Sequence, residues 1–105
     1  MGQAILVFDP VGGGIAVNLS VSNTTARVAL TALGDSRNVR FHNNGNKNAF
    51  MRMGDSTVVA TTTGCMSFPA GAIEILSVGP AMTHLSAITA GSDTTTINCT
   101  SGHGA

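Results

Sequence analysis

Tryptophan and tyrosine are absent from this chain, glutamate occurs once, as Glu74, and cysteine twice, as Cys65 and Cys99. Without tryptophan or tyrosine, only Phe8, Phe41, Phe50 and Phe68 remain as aromatics. That argues against a carbohydrate-binding module built on exposed aromatic platforms. A single glutamate leaves no glutamate pair for glycoside hydrolysis. Two cysteines are too few for a disulfide framework, and their spacing matches no metal-binding pattern. They read as free, small apolar residues, with a bridge between them as the alternative.

Charge is also scarce. Charged residues make up 10% of the 105 positions, against roughly 25% in an ordinary soluble protein. Arg27, Arg37, Arg40, Lys47 and Arg52 are balanced by Asp9, Asp35, Asp55, Glu74 and Asp93. Five scattered cations give counterion release little to act on, so nucleic acid is not an expected partner. No apolar window approaches the ~18 residues of a membrane span. The N-terminus lacks the basic start and long apolar run of a secretory signal. Synthesis in a reducing cytoplasm fits these absences. A surface this poor in charge is solvated by Ser, Thr and Asn, or covered by partners.

What is present is period-two patterning. Ile15, Val17, Leu19 and Val21 alternate with Ala16, Asn18 and Ser20, which predicts a half-buried strand over 15–21. Further strands are expected over 27–31, 37–42, 49–53, 57–63, 72–78, 83–89 and 94–100, with a short one ending at Phe68. Val39 and Phe41 share one face, Arg40 and His42 the other, and Ile73 and Ile75 lie opposite Glu74 and Leu76. Over 49–53 the register stays open, because either Phe50 or Met51 leads the buried face. Turn signals separate these runs: Asn23-Thr24, residues 34–36, Asn44-Gly45, Gly54-Asp55-Ser56, Pro69 with Gly71, Gly79-Pro80 and residues 90–93. Asp55 is expected to accept from backbone amides, and Gly54 to supply an unusual backbone conformation. The glycines at 12–14 read as a hinge, since no Lys-Ser/Thr follows to make a phosphate loop.

About eight short strands with no convincing helix argue an all-β, single-domain antiparallel sandwich or barrel. At 105 residues the chain buries roughly 65% of its unfolded surface as one domain. Its expected organisation is an N-terminal strand or arm with a glycine hinge over 1–14, a β-sandwich over 15–100 and a loose tail over 101–105. The four phenylalanines are best used as core anchors, each worth about 2 kcal/mol on burial. Met51, Met53, Met66 and Met82 serve as core filler or as adaptable contact surface.

No group is assigned to chemistry. His42, His84 and His103 fall in separate segments without ligand spacing, so no metal or cofactor is expected. Ser56, His84 and Asp55 make a triad on paper, but no nucleophile elbow or oxyanion glycine motif surrounds them. No catalytic residue is named, and the chain reads as a non-enzyme.

One resemblance goes further. It is carried by Val39-Arg40-Phe41-His42-Asn43-Asn44-Gly45, Ala49-Phe50-Met51-Arg52-Met53-Gly54-Asp55-Ser56, Pro69-Ala70-Gly71-Ala72-Ile73-Glu74 and Thr83-His84-Leu85-Ser86-Ala87-Ile88, roughly residues 38–90. As a set these resemble small β-proteins encoded beside the major capsid genes of tailed bacteriophages. The resemblance implies a jelly-roll-like sandwich and a capsid decoration or cement role on the outside of an HK97-fold head. The implied partners are the major capsid protein and the chain itself, as homodimer or homotrimer, and the implied location is the virion exterior. Asn44, Gly45, Gly54, Asp55, Ser56, Pro69 and Gly71 would shape turns. Ile5, Val7, Phe8, Arg40 and Arg52 are candidate interface residues, the first three in an apolar segment able to act as an arm. A tail or neck component and a host-surface adhesion module are the alternatives on the same fold.

Overall fold

A computed structural model of the chain describes residues 8–31 and 37–103. Ile5, Val7 and the turn expected at 34–36 lie outside the described residues. The strands are β1 (Asp9–Pro10), β2 (Val17–Val21), β3 (Ala26–Ala29), β4 (Arg37–Asn43), β5 (Ala49–Gly54), β6 (Met66–Phe68), β7 (Ile73–Val78), β8 (His84–Ile88) and β9 (Thr95–His103). Among the described residues one 3-10 turn, Val11–Gly13, follows β1.

All strand pairs are antiparallel, and they are nested: β2 with β9, β3 with β8, β4 with β7, β5 with β6. This is the pairing of one long hairpin folded at the β5–β6 connection. Two further pairings, β4 with β9 and β5 with β8, roll that hairpin into two sheets. One sheet runs β1-β9-β4-β7, with β2 also on β9; the other runs β3-β8-β5-β6. The result is a jelly-roll sandwich.

The alternation in each strand decides what lies between the sheets. Val39 and Phe41 from β4, Ile97 and Cys99 from β9, Met51 from β5, Phe68 from β6, and Leu85 and Ala87 from β8 all join one buried cluster. In β5 the register falls to Ala49 and Met51, which are buried, while Phe50 is half-buried. In β7 Leu76 and Val78 belong to the core side, packed beside Val39, and Ile73 is 50% exposed.

Four expectations need correction. The strand expected from Ile15 begins at Val17, and Ile15 is 59% exposed. The glycines are no free hinge. Pro10 pairs with Gly102 and Val17 with Cys99, so residues 11–16 bulge from the edge opposite only Thr100 and Ser101. Gly12 and Gly13, at φ 58° and 77°, make that bulge accessible. The 101–105 tail is not loose through its described part: Ser101, Gly102 and His103 continue β9, and Ser101 is 2% exposed. They are held because β9 is central, with β1 on one side and β4 on the other. Finally, 57–63 forms no strand. Its backbone follows the outer face of the second sheet as a strap and makes bonds to side chains there.

Candidate interaction surface

Two buried polar centres place the loops that surround the sandwich. Asn43, at the end of β4 and fully buried, has every hydrogen-bonding group in use. Its Nδ2 donates to the carbonyls of Lys47 and Phe68, each at 2.9 Å. Its Oδ1 accepts from Gly45 N at 3.2 Å and Thr95 Oγ1 at 2.6 Å. Its backbone N–H reaches Ala72 O and its carbonyl takes Gly71 N, both at 3.0 Å. The side chain thus ties β9, the 44–48 connection and β6 together, and the backbone of the same residue holds the 69–72 turn. Full satisfaction is what lets a polar group sit in the core without penalty.

The second centre is Ser86 on β8, which points away from the core yet is 1% exposed. Ser86 Oγ accepts from Ala60 N at 2.9 Å and donates to Ala26 O at 2.9 Å, with Thr25 Oγ1 at 3.1 Å. Arg27, opposite Ser86 on β3, donates through Nη1 to Val58 O at 2.8 Å. Val58 and Ala60 are buried as a consequence. These bonds hold the strap over the outer face of the sheet.

The turn residues behave as follows. Asn44 N donates to Thr96 O at 2.8 Å, and Gly45 lies so close to Thr95 that any Cβ there would strike its hydroxyl. Asp55 Oδ1 accepts from Thr57 N at 2.8 Å and from Thr57 Oγ1 at 2.5 Å. Those two bonds, with His84 and Arg27 near by, hold the Asp55 carboxyl below its ordinary value. Ser56 is exposed in the same turn. Gly54 corrects an expectation: it closes β5 without a positive φ, and its lack of a side chain lets Val58 approach, a Cβ there meeting Val58 Cβ at 2.9 Å. Pro69 O accepts from Ala72 N at 3.1 Å, and Gly71 takes φ 76°.

The paper triad does not form a relay. His84 Nδ1 lies 2.8 Å from Thr83 Oγ1, and Asp55 is engaged by Thr57. Among the described residues no three His, Cys, Asp or Glu side chains gather as a metal site. Cys65 and Cys99 are both free. Cys99 is buried, which pushes its thiol up to about 12. Cys65 is half-buried, its sulfur 3.3 Å from Thr61 N.

Of the candidate interface residues, Phe8 is half-buried, its ring set against Gly102, where a Cβ would collide with it. Arg40 is half-buried on the outer face of the first sheet and Arg52 is exposed on the outer face of the second. Two grooves flank Arg52. One, of about 500 Å³, is lined by Met51, Met53, Gly64, Cys65, Met66 and Met82; the other, of about 410 Å³, by Met53, Gly54, Asp55, Thr57, Val58 and Val59. Val59, Met66 and Met82 are 47%, 43% and 42% exposed. A separate cleft of about 480 Å³ is lined by Ser20, Val21, Ser22, Gly45 and Thr94 to Thr96, with no charged side chain and no histidine among them to activate a hydroxyl. The roles of Asn43 and Ser86 were not identified from sequence, whereas Met66 and Met82 were among the methionines expected as core filler or contact surface.

No protein-family model matches the chain, and the search of curated proteins returned no match. Among solved structures it is similar to a chain from a study described as "Bacillus endospore appendages form a novel family of disulfide-linked pili". The TM-score is 0.55 at 16% identity, covering 98% of this chain and 91% of that one. At this identity the likeness shows a shared fold: the all-β sandwich found here is also that of a structural, pilus-forming protein.

Proposed function

We propose that the protein is a virion structural subunit, a decoration or cement protein that binds the outer surface of an HK97-fold phage head and bridges neighbouring capsomers. The observation that carries this reading is the surface. Ile15, Val59, Met66, Ile73 and Met82 stand 42–59% exposed on a molecule with 10% charged residues. Such a surface is better suited to being covered than to remaining in water. Jelly rolls serve as capsid modules, and repetition over a symmetric shell lets a modest affinity per copy suffice. Bridging adds buried area between capsomers and so stabilises the expanded shell against the pressure of the DNA inside.

The direct test is co-sedimentation of the purified chain with heads lacking it. Binding at a copy number on the scale of the capsomers, with heads that survive heating better, is expected. No binding removes the reading, and a few copies at one vertex favours a tail or neck component instead.

A second reading, a filament subunit, is favoured by the fold shared with a pilus-forming chain. If linkage by disulfides accompanied it, Cys65 would supply the thiol, because Cys99 is buried at 1% exposure. Electron microscopy of the pure protein, with and without reductant, separates the two readings.

A further inference from the structure

β7 is an open edge. Among the described residues it pairs with β4 alone, in unbroken register from Ile73 to Val78, and no loop backbone bonds to it. Alternate N–H and C=O groups along it are therefore left without a strand partner. The other edges are interrupted or short. Pro10 and the 11–16 bulge break the far edge of the same sheet, β6 has three residues, and β3 has four with Arg27 exposed among them. β7 has six residues with no proline, lysine or bulge, and Glu74 is its one charge.

Both faces of that edge are apolar. Ile73 and Ile75, opposite His42 and Arg40, lie on the outer face, the first 50% exposed and the second half-buried. Leu76, opposite Val39, faces the core yet is only half-buried, because no strand lies beyond it. A strand added here meets apolar side chains above and below, so it has to be apolar at consecutive positions.

Ala4-Ile5-Leu6-Val7 is such a run, and Phe8 joins it directly to β1. Within its own molecule the run falls short. β1 and β7 end the order β1-β9-β4-β7, so the place beyond β7 lies four strand spacings from β1, about 19 Å. Extended chain covers that distance in about six residues, and the whole apolar run would be spent in crossing. Phe8, its ring against Gly102, is already committed to the β1 end. A neighbouring copy has no such limit. Direction also fits: three antiparallel steps separate β1 from β7, so the two run oppositely. An arm arriving from an equally oriented copy therefore enters antiparallel, as every other strand of the sheet does.

We propose that residues 4–7 of one copy pair with the open edge of β7 in the next. Main-chain bonds hold the arm, and the apolar side chains on both faces select it. The contact joins two different surfaces, so its repetition builds a ring or a filament rather than a two-fold pair. The inference goes beyond the decoration reading, which leaves open how copies join one another.

The test uses the full chain, with Ile5→Lys/Val7→Lys as the arm variant and Ile73→Lys/Ile75→Lys as the edge variant. Sedimentation velocity over a concentration series reads the outcome. The wild type is expected to grow in mass with concentration, and each variant alone to associate roughly tenfold more weakly or less still. Mixing the two variants should give a dimer that grows no further, because one intact arm meets one intact edge. Thermal melts matching the wild type confirm folding; Ile73→Lys alone, at the more exposed position, serves if the double edge variant melts early. A wild type that stays monomeric, an arm variant that associates like the wild type, or a mixture that stays monomeric would overturn the proposal. Binding of the arm variant to undecorated heads is scored separately, so loss of self-association leaves the decoration reading intact.

Discussion

Thr95 Oγ1 donates a 2.6 Å hydrogen bond to Asn43 Oδ1 in the interior of the sandwich, with both residues buried. Asn43 terminates β4 and Thr95 begins the described β9, so the bond closes one end of the β4–β9 pair. The same amide reaches Phe68 O in the other sheet. It therefore links the two layers by specific bonds as well as by apolar burial.

Asn43→Ala should accordingly destabilise the fold by about 3 kcal/mol, because several buried partners lose their bonds at once. Thr95→Val should cost about 1 kcal/mol, the smaller loss of a single bond. Gly45→Ala should be damaging through collision with Thr95, and less so in a Thr95→Ala background. Urea unfolding of the four variants checks the order. Equal effects from Asn43→Ala and Thr95→Val would contradict the hub.

The strap over 57–63 is anchored by Ser86 and Arg27 at backbone atoms. Ser86→Ala should leave Ala60 N–H without its acceptor and speed exchange of that amide. The core amides of β4 and β9 should be unaffected. Hydrogen exchange resolved by residue reads this directly; uniform acceleration over the whole chain would mean that Ser86 supports the fold globally instead.

Asp55 gives a pH dependence of fixed sign. Its carboxyl is held below the ordinary value of 3.8, first by the hydroxyl and then by the amide of Thr57. The charged form is favoured in the folded turn, so its contribution is complete above the ordinary value and disappears as pH falls through the lowered one. Carboxyl NMR titration should find Asp55 low in the native protein, and Thr57→Val should move it upward. A native value at or above the ordinary one would remove this account of the turn.

The two thiols should differ sharply. Burial that pushes Cys99 up to about 12 leaves it protonated and inaccessible at neutral pH. A thiol reagent at pH 8 should therefore titrate Cys65 in the native protein and Cys99 only after unfolding. Cys65→Ser should abolish native labelling. Labelling of both at one rate would show that the β9 side of the core opens readily.

Much of this architecture was legible in the alternation of residues. Val39 with Phe41 and Leu19 with Val21 are found on the core side where period two puts them. Turns at Asn44-Gly45, Asp55-Ser56 and Gly71 follow from local backbone chemistry. The Thr-rich stretch at 57–63 misled because β-branched residues fit a strand equally well as an extended strap. Which one forms depends on Ser86 and Arg27, which are remote in sequence. The tail misled for a similar reason: Ser101 and Gly102 have little apolar content, yet they are held by β1 and β4 on either side.

By itself, then, the sequence determined an all-β chain with its turns and most of its inward-facing residues, since these depend on near neighbours and on a period of two. Only the tertiary structure decided the jelly-roll nesting, the buried role of Asn43 and the exposure of Met66 and Met82. Those depend on which strands lie at an edge and which at a centre. That is a property of long-range pairing, to which any single strand contributes the same local pattern.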